Sequence, residues 1–179
     1  MSQEPSDRDL VARANQGDAA ALEELYRRHR DWVVGLAWRF TGNEDDALDI
    51  LQETFTYFFQ QFPGFQLTGA MRSYLFPVVK HRCISLFRKR KKVVSLETAR
   101  ERGVEAAVEL RWEPATGDYA RLLQRLPEQQ REVVQLRFGL GFKLNEIAEA
   151  LDIALGTVKS RLHNALKSLR ISLEEEESS

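Results

Sequence analysis

The chain has 179 residues, with 26 basic and 27 acidic side chains and a formal net charge of −1. This length suits one medium domain or two small ones, and the balanced charge excludes a protein whose whole surface coats nucleic acid. No apolar run approaches the ~18 residues that span a membrane, and the N-terminus lacks an apolar secretory core, so we expect a cytoplasmic protein without membrane insertion. The single cysteine, Cys83, is expected to be a small buried thiol.

Apolar residues at helical spacing predict four helices in the first half of the chain. The expected elements are two helices within Leu10–Phe40 that separate at residues 16–18, a third helix over Glu44–Gln61 that follows a stop at 41–43, and a fourth over Ala70–Lys91 after a loop at 64–69. Pro77 should bend the fourth helix or move its start toward Ser73.

The third helix has an apolar inner face and an outer face of acidic and amide side chains, among them Asp49, Gln52 and Glu53. Such a face repels DNA, so it is either solvated or meets a basic protein partner. The residues by themselves leave both interpretations open.

The end of the fourth helix, residues 80–92, carries seven basic side chains and no acidic one. They are Lys80, Arg82, Arg88, Lys89, Arg90, Lys91 and Lys92, with His81 among them. Phosphates favour such a row because each neutralised charge releases condensed counterions. The alternative is a solvated helix end whose cations satisfy the helix dipole, which needs fewer of them. We therefore predict nucleic-acid binding here.

The loop before this helix contains three aromatic residues, Phe62, Phe65 and Tyr74, beside the polar Gln66, Thr68 and Arg72. Aromatic rings next to a basic helix can stack on unpaired bases, at about 1–3 kcal/mol for each base. For any single ring the alternative, that it fills the core of the helical bundle, is at least as well supported.

Residues 93–117 mix charges with Gly and Pro and lack a sustained apolar face, which predicts a flexible linker. Helices then resume over Asp118–Arg125 and Glu128–Phe138, and the acidic run from Glu174 to Ser179 is expected to be disordered. The predicted fold class is therefore all-α, with two small helical domains on a flexible linker. The expected bounds are 1–92 for the N-terminal bundle, 93–117 for the linker, 118–171 for a helix-turn-helix domain and 172–179 for an acidic tail.

Residues 144–169 predict two short amphipathic helices around a turn at 152–156, with Thr157 as the cap of the second. In that second helix Val158, Leu162, Ala165, Leu166 and Leu169 are expected to face inward. The outward side is polar, basic and free of acid, and it consists of Lys159, Ser160, Arg161, His163, Asn164 and Lys167. Such a face suits a helix against DNA. An ordinary helical hairpin with a basic solvated face is the alternative.

The three histidines, His29, His81 and His163, lie far apart without metal-ligand spacing, and no phosphate-binding glycine loop occurs. Each is interpreted as a surface or DNA-facing side chain, and we expect no enzyme, no metal and no cofactor. The main rival to a protein with two DNA-binding surfaces is a regulator that binds DNA through the same hairpin and uses its first half as a sensor or dimerisation module. Such a module would not require the basic helix at 80–92.

Four segments occur together in the order known from one family. They are DDALDILQETF at 45–55, SYLFPVVKHRCISLFRKRKK at 73–92, LPEQQREVVQLRF at 126–138 and EIAEALDIALGTVKSRLHNALKSLR at 146–170. In this combination the chain resembles the bacterial RNA polymerase sigma factors of the extracytoplasmic-function (ECF) group over about residues 9–170. Two helical domains without a third between them are also what this resemblance implies.

The resemblance implies a transcription initiation factor that binds core RNA polymerase and directs it to promoters, without catalytic residues of its own. Asp49, Gln52 and Glu53 match the segment that grips the clamp coiled coil of the polymerase β′ subunit. The C-terminal hairpin matches the module that reads the −35 element in the major groove and contacts the β flap. An anti-sigma protein is a common further partner in the family but has no residue signature here.

The loop and basic helix match the part that recognises and melts the −10 element and holds a flipped base. On this match the residues expected at the −10 element are Phe65, Arg72, Tyr74, Lys80, His81, Arg88 and Lys89. The residues expected at the −35 element are Thr157, Lys159, Ser160, Arg161, His163, Asn164 and Lys167.

Some residues depart from the usual pattern of the family. His81 stands where Asn is usual, Asp152 where Gly is frequent and Asn164 where Arg is common. Asn pairs well with adenine through N6 and N7, whereas Arg prefers guanine O6 and N7. The resemblance therefore assigns the general role of these positions but not the promoter sequence.

Overall fold

The computed structural model describes residues 4–97 and 118–177, with side chains over 4–90 and 120–174. The chain divides into two units, Met1–Glu113 and Pro114–Ser179, and the predicted all-α class is confirmed for the described parts of both. The first unit contains α1 (Asp7–Asn15), α2 (Ala19–Thr41), α3 (Glu44–Phe59) and α4 (Met71–Glu97). The second contains α5 (Asp118–Gln124), α6 (Glu128–Val134), α7 (Leu144–Leu151) and α8 (Leu155–Glu177).

The predicted breaks between the first three helices are confirmed, and each has a capping interaction. The Asp18 carboxylate accepts hydrogen bonds from the N–H groups of Ala20 and Ala21, at 3.0 and 3.3 Å, and so starts α2. Gly42 ends α2 with a φ of +63°, a left-handed conformation that favours glycine. The Asn43 side chain then caps α3.

In the N-terminal unit α2 packs against α1, α3 and α4, and α3 packs against α4. The largest fully buried side chains of this core are Leu10, Leu25, Val33, Leu36, Phe58, Leu75, Phe76 and Val79. Cys83 is buried in the same core, as the sequence predicts, and burial raises the pKa of its thiol to about 12.

Helix α4 begins at Met71 and contains Pro77, so the alternative of a later start near Ser73 is wrong. Proline has no N–H group to donate to the carbonyl of Ser73, but the helix continues because its apolar side is buried around this point. The helix extends to Glu97, so the first five residues of the predicted linker, 93–97, are helical. Residues 98–117 lie outside the described part of the chain.

The expectation that His29 lies at the surface is wrong, because the side chain is buried on α2. Its Nε2 atom lies 2.9 Å from Oδ2 of Asp7 at the start of α1. Arg28 supports the same end of α1 by donating to the carbonyl of Pro5 at 2.7 Å, and its Nη1 lies 3.5 Å from Oδ1 of Asp7. The hydrogen bond from His29, with further help from Arg28, holds the pKa of Asp7 below its usual value.

An Asp7→Asn substitution should therefore destabilise the N-terminal unit in a pH-dependent way. Because the folded state lowers the pKa of Asp7 from 3.8, its ionised form contributes stability above about pH 4, and this contribution is lost as the pH falls through the folded pKa. We expect about 1 kcal/mol less unfolding free energy at pH 7 and a shrinking difference from the parent below about pH 4, measured by urea denaturation. Asp31→Asn, at an exposed site of α2, should show a smaller difference throughout. A pH-independent effect of Asp7→Asn would contradict the assignment.

The predicted helix over Glu128–Phe138 is confirmed as α6 and a π-helical turn that continues it over Gln135–Gly139. Within that turn the N–H of Leu140 donates to the carbonyl of Gln135, five residues earlier, at 3.1 Å. The core of the C-terminal unit includes one cluster from α5, the turn after it, α6 and α8. Its members are Leu123, Leu126, Val134 and Ala165, with Leu162 and Leu169 packed against them.

The expectation of a disordered acidic tail is wrong for Glu174 to Glu177, because α8 continues to Glu177. Arg170 donates to the Glu174 carboxylate at 2.9 Å, an (i, i+4) pair of the kind that stabilises an exposed helical turn. Ser178 and Ser179 lie outside the described residues.

Candidate nucleic-acid interface

One face of α8 presents the polar and basic side chains that the sequence assigns to DNA. Lys159, Ser160, His163, Asn164 and Lys167 are all exposed. Their spacing places them on one stripe of the helix, while Val158 and Ala165 on the other side are fully buried. Thr157 and Arg161 are half-buried at the edges of this stripe, which we call the α8 stripe.

Two details of the hairpin differ from the prediction. Helix α8 begins at Leu155, so Thr157 lies in the first turn of the helix and is not its cap. The Thr157 carbonyl accepts a hydrogen bond from the Ser160 hydroxyl at 3.0 Å. Leu166, expected inside, is 45% exposed because its position falls between the buried face and the stripe. Asp152 ends α7 with a φ of +51°, a left-handed conformation that favours glycine and that Asp adopts more readily than most residues.

The basic end of α4 is only partly free of acidic contacts, although its own sequence contains no acid. Arg82 lies 3.5 Å from the Glu53 carboxylate and 5.7 Å from the Tyr57 ring centroid, both on α3. Arg90 bonds to the buried Asp46 carboxylate at 2.5 Å. These two cations therefore connect α4 to α3. His81, Arg88 and Lys89 are exposed and Lys80 is half-buried, whereas the side chains of Lys91 and Lys92 lie outside the described residues.

Phe62 and Phe65 of the loop at 62–70, together with Tyr74 of α4, form a cluster around Phe58 of α3. The Phe58 ring centroid lies 5.3 Å from that of Phe62, 5.2 Å from that of Phe65 and 5.9 Å from that of Tyr74. The three outer rings are half-buried, and burial raises the pKa of Tyr74 to about 12, so its hydroxyl remains protonated. The packing favours the alternative that these rings fill the edge of the core, with only part of each available to a base.

Arg72, the first exposed cation after the loop, is positioned by an aromatic ring. Its guanidinium carbon lies 5.6 Å from the ring centroid of Trp32 on α2. Such a cation–π contact is worth about 0.5–1 kcal/mol at an exposed site and orients the guanidinium at the start of α4.

Helix α1 holds the backbone of this loop, which the sequence analysis missed. The Asn15 side chain accepts a hydrogen bond from the N–H of Gly64 at 2.7 Å and donates to the carbonyl of Phe65 at 2.8 Å. Arg8 donates to the carbonyl of Thr68, also at 2.8 Å. No local pattern signals contacts between residues that are 49 to 60 positions apart in the chain.

The acidic face of α3 is exposed as predicted, at Asp49, Gln52 and Glu53. Leu48 beside them is also 48% exposed. The Glu53–Arg82 pair joins this face to the basic helix. Asp46, one turn earlier, is instead buried, and its Oδ2 has no hydrogen-bond partner among the described residues.

The described residues contain no group of three or more His, Cys, Asp and Glu side chains that could hold a metal ion. Of the described helices, none is long and apolar enough to cross a membrane.

This arrangement defines a two-domain helical protein with one cationic surface in each unit and an acidic face on α3. The family model for Sigma-70 region 2 matches residues 25–93, and the model for Sigma-70, region 4 matches residues 117–169. ECF RNA polymerase sigma factor SigL of Mycobacterium tuberculosis is 32% identical over 178 residues, which cover 92% of this chain and 96% of SigL. RNA polymerase sigma factor SigV of Bacillus subtilis is 29% identical, over 90% of this chain and 96% of SigV.

Solved structures agree with the fold. CnrH, in complex with the cytosolic domain of CnrY, is similar to this chain with a TM-score of 0.63 and 27% identity, over 94% of this chain and 97% of CnrH. The sigma factor RpoE from Bartonella quintana is similar in fold, with a TM-score of 0.56 and 22% identity, over 85% of this chain and 96% of that one.

The chain belongs to the ECF RNA polymerase sigma factors. It is a transcription initiation factor that binds RNA polymerase and directs it to promoter DNA. Sigma factors are non-enzymatic transcription factors.

Proposed function

We propose that the two units share promoter recognition, with the α8 stripe on the −35 element and the loop and basic helix on the −10 element. The observation that carries this proposal is the α8 stripe, whose polar side chains are exposed while Val158 and Ala165 anchor the opposite side. A helix anchored in this way can lie in the major groove and present its stripe to base edges.

At the −35 element Lys159 and Lys167 are exposed cations suited to phosphates, and Asn164 has the paired donor and acceptor that read adenine. Ser160 and His163 lie between them. Arg161 and Thr157 border the stripe, where each contributes a polar group at the edge of the contact. Each good base contact is worth about 1–3 kcal/mol of discrimination.

At the −10 element Arg88 and Lys89 supply exposed charge for the phosphates of the opened strand, and His81 lies on the same exposed side of α4. Lys80 belongs to this surface as well. The partly exposed edges of Phe65 and Tyr74 and the oriented guanidinium of Arg72 offer surfaces on which an unpaired base can stack.

For the polymerase we propose that Asp49, Gln52 and Glu53 contact the clamp coiled coil of the β′ subunit and that the C-terminal unit contacts the β flap. The support is the exposed acidic face on α3, which suits a basic protein surface better than DNA. Because the polymerase holds both units, two weak DNA contacts act together through their effective concentration. We therefore expect weak promoter binding by the free chain and tight binding by the holoenzyme.

The test is reconstitution with core RNA polymerase lacking any other sigma factor. The chain should co-purify with core polymerase, and the mixture should start transcripts from defined sites on genomic templates. Footprinting should show promoter protection by the holoenzyme and little by the free chain at moderate salt. If the free chain protects a promoter at nanomolar concentration and does not bind the polymerase, the regulator with a sensor domain is the better description.

We further propose an anti-sigma protein as a second partner and a cytoplasmic location. The support for such a partner is that two structurally similar proteins are seen in complexes: CnrH, 27% identical to this chain, with the cytosolic domain of CnrY, and RpoE from Bartonella quintana with the anti-sigma factor NepR. The support for the location is that the protein acts on RNA polymerase and promoter DNA.

A further inference from the structure

Two side chains of α1 form hydrogen bonds with the backbone of the loop at 62–70, and these contacts have no role in the function proposed above. Oδ1 of Asn15 accepts from the N–H of Gly64, and Nδ2 donates to the carbonyl of Phe65. One side-chain amide thus uses a donor and an acceptor on two adjacent residues, which fixes both the position and the orientation of that backbone. The Arg8 guanidinium holds the carbonyl of Thr68 as a third point.

On the side away from α1, the loop packs against aromatic rings of α3 and α4 through Phe65. The Phe65 ring centroid lies 4.7 Å from that of Tyr74 and 5.2 Å from that of Phe58. Gly64, whose N–H donates to Asn15, has a φ of +114°, a conformation that favours glycine. The loop backbone is therefore fixed between α1 and the aromatic cluster, while the side chains of Gln66 and Thr68 remain exposed.

We propose that Asn15 and Arg8 are positioning residues that set the base preference of the opened −10 strand by holding in one conformation the backbone that carries Gln66 and Thr68. The proposal rests on the proposed assignment of this loop to the −10 element. Amide and hydroxyl groups read the edge of an unpaired base by hydrogen bonds, and a group that is ordered before binding discriminates better because it loses less freedom on binding. Helix α1 lies outside residues 25–93, so the region 2 match does not assign this role.

The test is run-off transcription by reconstituted holoenzyme from promoters that carry each base at each −10 position. At each −10 position the readout is the ratio of transcription from the best base to transcription from the worst base. Asn15→Ala should reduce this ratio by about tenfold, since two hydrogen bonds are lost. The reduction should occur at the positions that Gln66→Ala and Thr68→Ala also affect. Asn15→Asp keeps the acceptor for Gly64 but places a second acceptor against the carbonyl of Phe65, so it should also lower this ratio, at least as much as Asn15→Ala. Arg8→Ala, an exposed residue with one bond, should give a smaller decrease. Gln16→Ala, at an exposed neighbour of Asn15, is the control and should keep the parental ratio.

Core-polymerase affinity and −35 preference should stay within about twofold of the parent in all these variants, because neither depends on the loop. If Asn15→Ala and Arg8→Ala lower transcription by the same factor on every template, or do not lower it at all, the base preference is unchanged and the positioning role is overturned. If Gln66→Ala and Thr68→Ala leave every −10 preference unchanged in an active holoenzyme, the assignment of the loop to the −10 element fails and the positioning role fails with it. Should Asn15→Ala not fold, Arg8→Ala and Asn15→Asp decide the question by the same ratios.

Discussion

Replacing Phe58 with alanine should lower the free energy of unfolding of the N-terminal unit by about 3–5 kcal/mol. The side chain is 1% exposed, and its ring lies within 5.9 Å, between centroids, of the rings of Phe62, Phe65 and Tyr74. Truncation removes buried apolar surface and leaves a cavity that the surrounding rings can fill only in part. This is the largest effect on stability that we expect from a single substitution in this unit.

Tyr57→Ala is the matched control for Phe58→Ala, since it removes an aromatic ring from the preceding position of α3, where the side chain is 38% exposed. It should cost about 1 kcal/mol or less. Unfolding of the full chain can be followed by the fluorescence of Trp32 and Trp38, which both belong to the N-terminal unit, once the third tryptophan, Trp112, is replaced by phenylalanine in the parent and in both variants. Equal losses of stability in the two variants would show that the ring of Phe58 is not central to the core.

Phe58→Ala should also impair strand opening more than binding to the −35 element, because the Phe58 ring packs against Phe62 and Phe65 of the loop. With Phe58→Ala holoenzyme at a temperature where the unit is still folded, we expect weaker permanganate reactivity of unpaired thymines. Protection of the −35 element should be unchanged. Parallel losses at both elements would indicate that the variant acts through global unfolding.

Arg161→Ala and Lys89→Ala should separate the two DNA contacts. Arg161→Ala should weaken binding to the −35 element by about 1–3 kcal/mol if the guanidinium contacts a base, or by less if it contacts a phosphate. Lys89→Ala should mainly reduce strand opening and should lower the salt dependence of that step by about one counterion. Arg161 is half-buried beside the α8 stripe and Lys89 is exposed on α4, so each substitution acts on one unit.

Binding to the −35 element can be measured by competition of holoenzyme for duplex fragments, and strand opening by permanganate probing. Arg30→Ala removes an equally charged exposed side chain from α2 and should affect neither readout. Equal defects of Arg161→Ala and Lys89→Ala in both assays would refute the division of labour between the units.

Local patterns determined most of the secondary structure. The starts of α2 and α3 follow from capping residues, Asp18 and Asn43, whose side chains accept from N–H groups two or three positions away. The α8 stripe follows from helical spacing, and the burial of Val158 and Ala165 confirms it. Such features depend on neighbours in the chain, so the sequence contains all the information that they require.

Local patterns were insufficient where a helix ends or a side chain turns toward a distant neighbour. Leu166 has the spacing of an inner residue but lies at the margin of the buried face, and its exposure depends on which helices cover α8. Pro77 argues for a helix break, but burial of the surrounding α4 residues outweighs the lost hydrogen bond. At Glu174 the acidic composition suggests disorder, whereas the pairing with Arg170 is compatible with a continued helix.

By itself the sequence determined an all-helical chain, the two cationic surfaces, the acidic face of α3 and, through four ordered segments, the ECF resemblance. Only the tertiary structure decided which polar side chains pair with each other: His29 with Asp7, Arg90 with Asp46 and Arg82 with Glu53. It also decided that Asn15 holds the loop at 62–70. The physical reason is that these hydrogen bonds and ion pairs join residues 22 to 50 positions apart, so they exist only after the helices have packed.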